Sequence, residues 1–462
     1  MLAAMRTPSL VVAPLLLVCL HAQNLAAKVD VLAKPLVDAG LTPSLVVGVL
    51  DGDTTLVRGY GQVGDQAPTG DTLYEIGSVS KVFTGLLLAD AVTRGICKLD
   101  DPAPSLLPEG VTMQKWETTP VLLWHLSTHT SGMPRLPDMK GSEANDPYAH
   151  FDEARLLAAL GKTRIRWEPG SKYEYSNFAV GLLGHLLAKK QGFASFGELL
   201  AARIATPLAM KDTTVLLSDA QRARMAPPSN VDGEPEHVWD LATLAGAGGI
   251  RSSVADMLKF ARAQLAPDEA LAKAVALSQQ KHHDGQQGIA MGLGWHFARD
   301  GQTRWHNGGT GGYHAYLAVL PGKRLAVCVL SNTTSGLIDG LGERIMQHLC
   351  GMQVEPLKVE IPVAVERAQL QRLVGKYLME PGVTFTITLG DRGLSAQLTG
   401  QPAYRVHAKS PTEFVYRVVE ASLTFELAGD AAKALVLHQN GQDMKCERIE
   451  AEPVPAKGED KK

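Results

Sequence analysis

The sequence predicts an α+β domain with a small all-β module behind it, and three observations carry that reading. Strand-like segments stand at both ends of residues 26–352, helical patterns fill the space between them, and after Pro356 the texture changes to short runs broken by turn residues. Strands from two distant ends that share one sheet make an α+β domain whose middle is a helical insertion. A chain of 462 residues is long for one average domain, which agrees with a large unit plus a smaller one.

In chain order, residues 26–38 carry apolar positions at helical spacing. Ser44 to Leu50 reads as a strand that turns at Asp51, Gly52 and Asp53 into a second strand, a hairpin signal. Gly77 and Ser78 then precede a long apolar helix pattern ending near Thr93, which places Ser78 at or near a helix start. Helix patterns and Pro/Gly loops dominate from about 100 to 265, where Ser253 and Asp256 resemble a capping box. The glycines at 308–312 lead into a strand from Tyr313 to Leu320, a Pro321-Gly322 turn, a strand from Leu325 to Leu330 and a helix from Leu337 to Cys350. Residues 353–364 read as a linker. The all-β module spans 365–450, with strands at Thr384–Leu389, Leu394–Leu398, Glu413–Val419, Leu423–Leu427 and Leu435–His438. The charged stretch 451–462 lacks aromatics and reads as a disordered tail.

The first residues read as a signal for export. Arg6, an apolar run from Leu10 to Leu20 broken by Pro14, and then Ala22 have the layout of a cleavable secretory peptide over residues 1–22. That apolar run is too short to span a bilayer and no later segment is long enough, so a periplasmic or secreted protein without a stable membrane span is expected. Basic and acidic side chains number 45 and 48, a formal charge of -3, which argues against nucleic acid as a partner. Cys97, Cys328, Cys350 and Cys446 are far apart, show no metal spacing and read as small buried side chains, while a disulfide after export stays open.

Three short patterns carry chemistry. In Ser78-Val79-Ser80-Lys81 a helix start puts positions i and i+3 on one face, so the Lys81 amine reaches the Ser78 hydroxyl. A serine oxygen becomes a nucleophile when a base stands beside it, and a helix N-terminus offers free N–H groups to a developing oxyanion. In Tyr175-Ser176-Asn177 a phenol that relays a proton stands next to a carboxamide that both donates and accepts. In His306-Asn307-Gly308-Gly309 glycines at a sheet edge let a ligand backbone approach. Each pattern alone is common; their combination, in this order and each in a fitting context, is not.

On these residues the chain resembles the class C β-lactamase and penicillin-binding-protein-like serine hydrolases, whose hallmarks are Ser-x-x-Lys, Tyr-x-Asn and Lys-Thr-Gly. The resemblance covers roughly residues 30–350. It extends through Arg94-Gly95 to Asp100-Asp101-Pro102, Thr128-His129-Thr130-Ser131-Gly132 and Gly248-Gly249-Ile250-Arg251-Ser252. It implies an antiparallel sheet flanked by helices, a helical subdomain, a cleft between them and a lipocalin-like C-terminal barrel. It also implies roles: Ser78 is acylated, Lys81 helps to deprotonate it, Tyr175 passes the proton to the leaving group, and Asn177 orients the substrate amide. The backbone N–H groups of Ser78 and Gly309 would form the oxyanion site, with the Gly309 donor assigned to the strand that follows the third pattern. His306, Asn307 and Gly308 would line the substrate site.

The chain departs from the family where His306 and Asn307 stand in place of Lys and Thr. A His of ordinary pKa, about 6.5, is mostly neutral at neutral pH and is a weaker anion site than Lys. The expected activity is β-lactam hydrolysis through an acyl-serine intermediate, with a carboxylesterase, a D-alanyl peptidase or a slowly deacylating β-lactam sensor as alternatives. The chemistry needs only side chains and water, so neither a cofactor nor a metal is expected, and the partner is a small-molecule substrate. His282, His283 and Asp284 sit among glutamines and read as a surface loop. His125 and His129 read as rim or packing residues, and Trp124, Trp295 and Trp305 as cleft or core.

Overall fold

The computed structural model describes residues 12–143, 145–286, 288–359 and 361–449. The expected signal lies outside these residues up to position 11, and the expected tail at 451–462 lies outside them altogether. The chain divides into two compact units, residues 1–357 and 358–462.

The first unit is built on an eight-stranded antiparallel sheet. Its strands are β1 (Ser44–Asp51), β2 (Thr54–Gly61) and, after the two-stranded ladder of β3 (Leu73–Glu75) and β4 (Arg251–Ser253), a run of six. These six are β5 (His283–Gln286), β6 (Ile289–Met291), β7 (His296–Phe297), β8 (Arg304–Gly309), β9 (His314–Leu320) and β10 (Leu325–Ser331). The order across the sheet is β2-β1-β10-β9-β8-β7-β6-β5, so the strands from the two ends of the unit meet, with Gly48 opposite Cys328. β1, β9 and β10 are apolar almost without interruption because both of their faces are covered. Helix Val254–Leu265 packs against β1 near Gly48, and helix Leu337–Leu349 packs against Tyr316 of β9. Helix Val12–Asp38 begins well before the expected residue 26 and buries Leu25, Val29, Leu32 and Leu36, one stripe of a helical repeat.

The helical part inserted between β2 and β5 is organised by helices Ser80–Thr93 and Asn177–Lys190. Both are apolar nearly all round because other elements surround them. Phe83 stacks on Phe260 at 4.0 Å and ties the first of them to the helix under β1. Only half of the expected capping box forms. Ser253 Oγ accepts from Asp256 N, but the Asp256 carboxylate accepts from Asp212 N, Thr213 Oγ1 and Lys259 Nζ instead of returning to the cap.

Two other expectations are corrected. The glycines do lead into the expected strand, β9, but His306 to Gly309 are not an entry loop; they are themselves the end of β8, paired to β9. His283 and Asp284 belong to the edge strand β5, where His283 Nε2 lies 3.1 Å from Gly170 O, and do not form a loop. Residues expected in the linker also pack on the first unit: Lys28 Nζ donates to Val354 O at 2.8 Å and Arg344 Nε to Glu355 O at 3.1 Å. Cys97, Cys328, Cys350 and Cys446 are all free, and three of them are buried.

The second unit is a nine-stranded antiparallel sheet curled into a nearly closed barrel. Its strands are β11 (Gly375–Glu380), β12 (Val383–Gly390), β13 (Gly393–Leu398), β14 (Ala403–Arg405), β15 (His407–Ala408), β16 (Glu413–Val415), β17 (Ala421–Ala428), β18 (Ala431–Gln439) and β19 (Gln442–Ile449). The order runs β14-β13-β12-β11-β19-β18-β17-β16-β15, so the two outermost strands are successive in sequence, with Val406 alone between them. Alternate positions of the longer strands, among them Phe385, Ile387, Leu423, Phe425, Leu435 and Leu437, fill the interior. The strand expected from Glu413 to Val419 stops at Val415, and β11, β14, β15 and β19 were not expected.

Candidate active site

Ser78 lies in a single 3₁₀ turn, Gly77–Val79, that feeds helix Ser80–Thr93. The turn is pressed against β8. A Cβ on Gly77, whose φ is +49°, would stand 2.8 Å from Gly309 N, and a Cβ on Gly308 would stand 2.1 Å from Ile76 O and 2.7 Å from Ser78 N. Glycine is required at both positions for the seam to close. Ser78 is half-buried, whereas the helix behind it is buried from Ser80 to Ala91.

Lys81 Nζ lies 2.9 Å from Ser78 Oγ and donates to Ala247 O at 2.5 Å. The side chain is wholly buried. Burial first, and then the charge of Arg135, hold its amine well below the usual lysine range. A lysine lowered in this way gives up its proton more readily than an exposed one.

Tyr175 enters from the loop before helix Asn177–Lys190, and that loop is pinned at three points. Ser176 Oγ caps the helix by accepting from Ala179 N at 3.0 Å and donates to Pro134 O at 2.7 Å, while Ser176 N donates to His129 Nδ1 at 3.1 Å. His129 takes a left-handed φ of +60°, a conformation that costs a non-glycine residue free energy and is held by surrounding bonds. The Tyr175 ring centre lies 4.8 Å from Lys81 Nζ, and Ser78 is near enough to act on its hydroxyl. Desolvation outweighs the effect of Ser78 and pushes the phenol above its usual range. Tyr175 is therefore a neutral phenol at neutral pH and not a standing phenolate. Asn177 opens the helix. Its N–H donates to Arg135 O at 2.9 Å, its amide bonds Tyr148, and its Oδ1 is buried with no partner.

The alternation of β8 sorts the third pattern. Thr310 N donates to Tyr313 O, so the N–H groups of Gly309 and Asn307 point away from β9. They face an edge that β7 leaves open beyond Trp305, where the Ser78 turn sits. The main-chain nitrogens of Ser78 and Gly309 thus line one seam, and the Gly309 donor belongs to the third pattern's own strand. His306 shares a face with Gly308 and points toward the helical part. Its ring lies 4.7 Å from that of His296 and 6.4 Å from that of Tyr175, and its Nε2 is buried without a partner. Burial is the main cause that holds His306 well below the ordinary histidine range, and protonation of His296 or Lys81 beside it would lower it further, so it is neutral at neutral pH. Asn307 is not brought to Ser78: its Nδ2 donates to Asp339 Oδ2 at 2.7 Å on the opposite face, and Asp339 Oδ1 pairs with His314 Nε2 at 2.8 Å.

Residues 29–345 match the profile of the β-lactamase family, well over half of the chain. The chain belongs to the β-lactamase family. A β-lactamase of Escherichia coli is 29% identical over 340 residues, covering 64% of this chain and 86% of that protein. The D-alanyl-D-alanine-carboxypeptidase/endopeptidase AmpH of the same organism is 28% identical over 331 residues, covering 65% and 83%. Penicillin-binding protein 4* of Bacillus subtilis is 26% identical over 429 residues, covering 84% and 91%. Among solved structures, a β-lactamase/D-alanine carboxypeptidase from Yersinia pestis complexed with citrate superposes with a TM-score of 0.63 at 26% identity, covering 72% of this chain and 99% of that one. This chain is accordingly a serine hydrolase of the β-lactamase family.

Within this family site, three contributors escaped the sequence patterns: the Ala247 carbonyl on Lys81, His296 between His306 and Trp305, and Arg135 over the Tyr175 ring at 5.0 Å, while His129, expected at the rim or in packing, stands behind Tyr175 at 4.3 Å between ring centres. His129 and Arg135 lie in one stretch with Thr130-Ser131-Gly132, so the stretch was visible while its contacts were not. His125 is buried with Nδ1 accepting from Leu122 N, and Trp295 is core. Trp305 stacks between His296 and Tyr316. Among the described residues no cluster of three or more His, Cys, Asp or Glu is arranged to hold a metal.

Proposed function

We propose that this chain is an exported acyl-serine hydrolase that opens β-lactam rings. The observation that supports it best is Ser78 Oγ held 2.9 Å from a desolvated lysine, near a protonated Tyr175 and beside the Gly309 N–H. In this reading the neutral Lys81 amine takes the Ser78 proton as Oγ attacks the carbonyl carbon. The N–H groups of Ser78 and Gly309 bind the oxyanion. Tyr175 gives its proton to the departing nitrogen and is reprotonated from Lys81, and the orphaned Asn177 Oδ1 accepts from a substrate N–H. Water then attacks the ester through the same groups and returns Ser78. The apolar run after Arg6 supports export to the periplasm or medium, where β-lactams are met.

A D-alanyl peptidase is the second reading, favoured by His306. The neutral, buried imidazole does not supply the fixed cation of the family's Lys, and an acyl-D-alanyl peptide is cleaved by the same acyl-serine steps. A chromogenic cephalosporin, an acyl-D-Ala-D-Ala peptide and a short acyl ester should be compared on one preparation. Cephalosporin hydrolysis that disappears in Ser78→Ala, with a Ser78 adduct seen by mass spectrometry, is the expected result. D-Ala release or ester cleavage without β-lactam turnover moves the assignment to those substrates, and an adduct that persists for hours makes the protein a sensor.

A further inference from the structure

Arg135 is a cation that the family's three patterns do not include. Its main chain is fixed, because Arg135 O accepts from Asn177 N at 2.9 Å and from Phe178 N at 3.2 Å. Its side chain is exposed, and among the described residues no carboxylate pairs with it. The guanidinium stands 5.0 Å from the centre of the Tyr175 ring, the same ring that Lys81 approaches at 4.8 Å. A group bound by Arg135 is therefore one aromatic ring away from the acylation centre.

No carboxylate is among the groups that act electrostatically on Lys81, His129, Tyr175 and His306; the cationic ones are Arg135, Lys81 and neighbouring imidazoles, and the phenols of Tyr148 and Tyr173 act in the opposite sense on Tyr175. The nearby Glu174 is engaged by Arg166 at 2.7 Å. Burial pushes His296 down to about 4, and His129 and His306 also lie below their ordinary range, so at neutral pH none of the three is a cation. That leaves Arg135 as the permanent charge of the site. Pro134 also borders a groove of about 660 Å³ lined by Lys162, Arg164 and Arg166 with one acid, Asp138, so basic side chains outnumber acidic ones there.

We infer that Arg135 anchors the substrate by a carboxylate, so that this hydrolase takes acyl donors bearing a free carboxylate close to the scissile bond and discriminates against their neutral analogues. A guanidinium suits that role because its planar fork binds a carboxylate by two parallel hydrogen bonds, which a lysine ammonium does not match. The groove of Lys162 and Arg164 would raise the local concentration of such anions without touching the reacting bond. The inference rests on the acyl-serine reading of Ser78.

The test is a matched pair: one amide or β-lactam substrate as the free carboxylate and as its methyl ester, with wild type, Arg135→Gln and Arg135→Lys. Compared on the alkaline plateau of each pH profile, where Lys81 is neutral in both enzymes, Arg135→Gln should raise KM for the carboxylate about 10- to 100-fold, the worth of a charge-assisted bidentate bond, and change KM for the methyl ester by no more than about twofold. Arg135→Lys should recover part of the loss. Equal loss on both substrates, or no preference in wild type, overturns the inference. Binding of phenylboronic acid and its carboxylated derivative to Ser78 gives the same comparison without turnover. If the neutral ester and neutral boronate react normally while no carboxylate preference exists, Arg135 is refuted and the hydrolase stands. If nothing reacts at Ser78, both fall.

Discussion

The two units treat buried polar groups in opposite ways. In the C-terminal barrel the interior is Phe385, Ile387, Phe414, Leu423 and their neighbours, and the phenol of Tyr377 donates to Leu373 O at 2.7 Å. In the first unit Asn177 Oδ1, His129 Nε2, His296 Nδ1 and His306 Nε2 are buried with no partner, and among the described residues no such orphaned side-chain atom falls after His314. Buried polar atoms are nearly always satisfied in native proteins, so a concentration of exceptions needs a reason. Four of the exceptions belong to residues near Ser78 and Lys81, while others, such as Gln264 Nε2 and Arg304 Nε, lie elsewhere in the first unit. Polar atoms that no protein group engages are available to a ligand or to water, whereas among the described residues the barrel interior pairs its polar side chains within the protein.

The largest expected effect breaks this comparison at Lys81. Replacing Lys81 by Met removes a buried amine and fills its space with an apolar side chain. Turnover should fall by about 10²- to 10⁴-fold, the range for losing a general base, while the melting temperature stays level or rises. Thermal unfolding and steady-state rates on one preparation check both halves. A large fall in melting temperature would make Lys81 a structural residue. Leu435→Ala in the barrel should do the reverse. That fully buried position should cost about 2–5 kcal/mol of the barrel's stability, read by denaturant unfolding, and leave kcat of the folded enzyme unchanged. A changed kcat would show that the barrel takes part in the chemistry.

What was legible in the sequence follows the same division. The hairpin of β1 and β2, the helix behind Ser78 and the order of the three patterns are local features, written in turn residues and apolar spacing. The position of Gly308 and Gly309 was misread because adjacent glycines have low strand preference; tertiary contact with the Ser78 turn, where a side chain would collide, puts them in β8. Contacts such as Lys81 with Ala247 O, His129 with Ser176 N and Arg135 with Tyr175 join distant segments, and no local pattern encodes them. In the barrel, Gly375–Glu380 and Gln442–Ile449 escaped notice because one face of each is polar, which leaves too few apolar positions to stand out.

The smallest expected effect sharpens the comparison by its sign. Arg135 contributes to lowering the Lys81 amine, after burial, and the amine acts only in its neutral form. In the free enzyme kcat/KM should therefore rise as pH passes upward through the depressed Lys81 pKa and then level off. Removing the Arg135 charge lets that pKa climb back toward the ordinary lysine value, so the acid limb should move to higher pH in Arg135→Gln, while burial still keeps it below that of an exposed lysine. The measurement is the pH profile of kcat/KM for a neutral ester, which has no carboxylate for Arg135 to bind and so isolates the charge effect on Lys81. A limb that stays in place would mean that burial alone sets the base. The unpaired charge would then serve binding and not proton transfer.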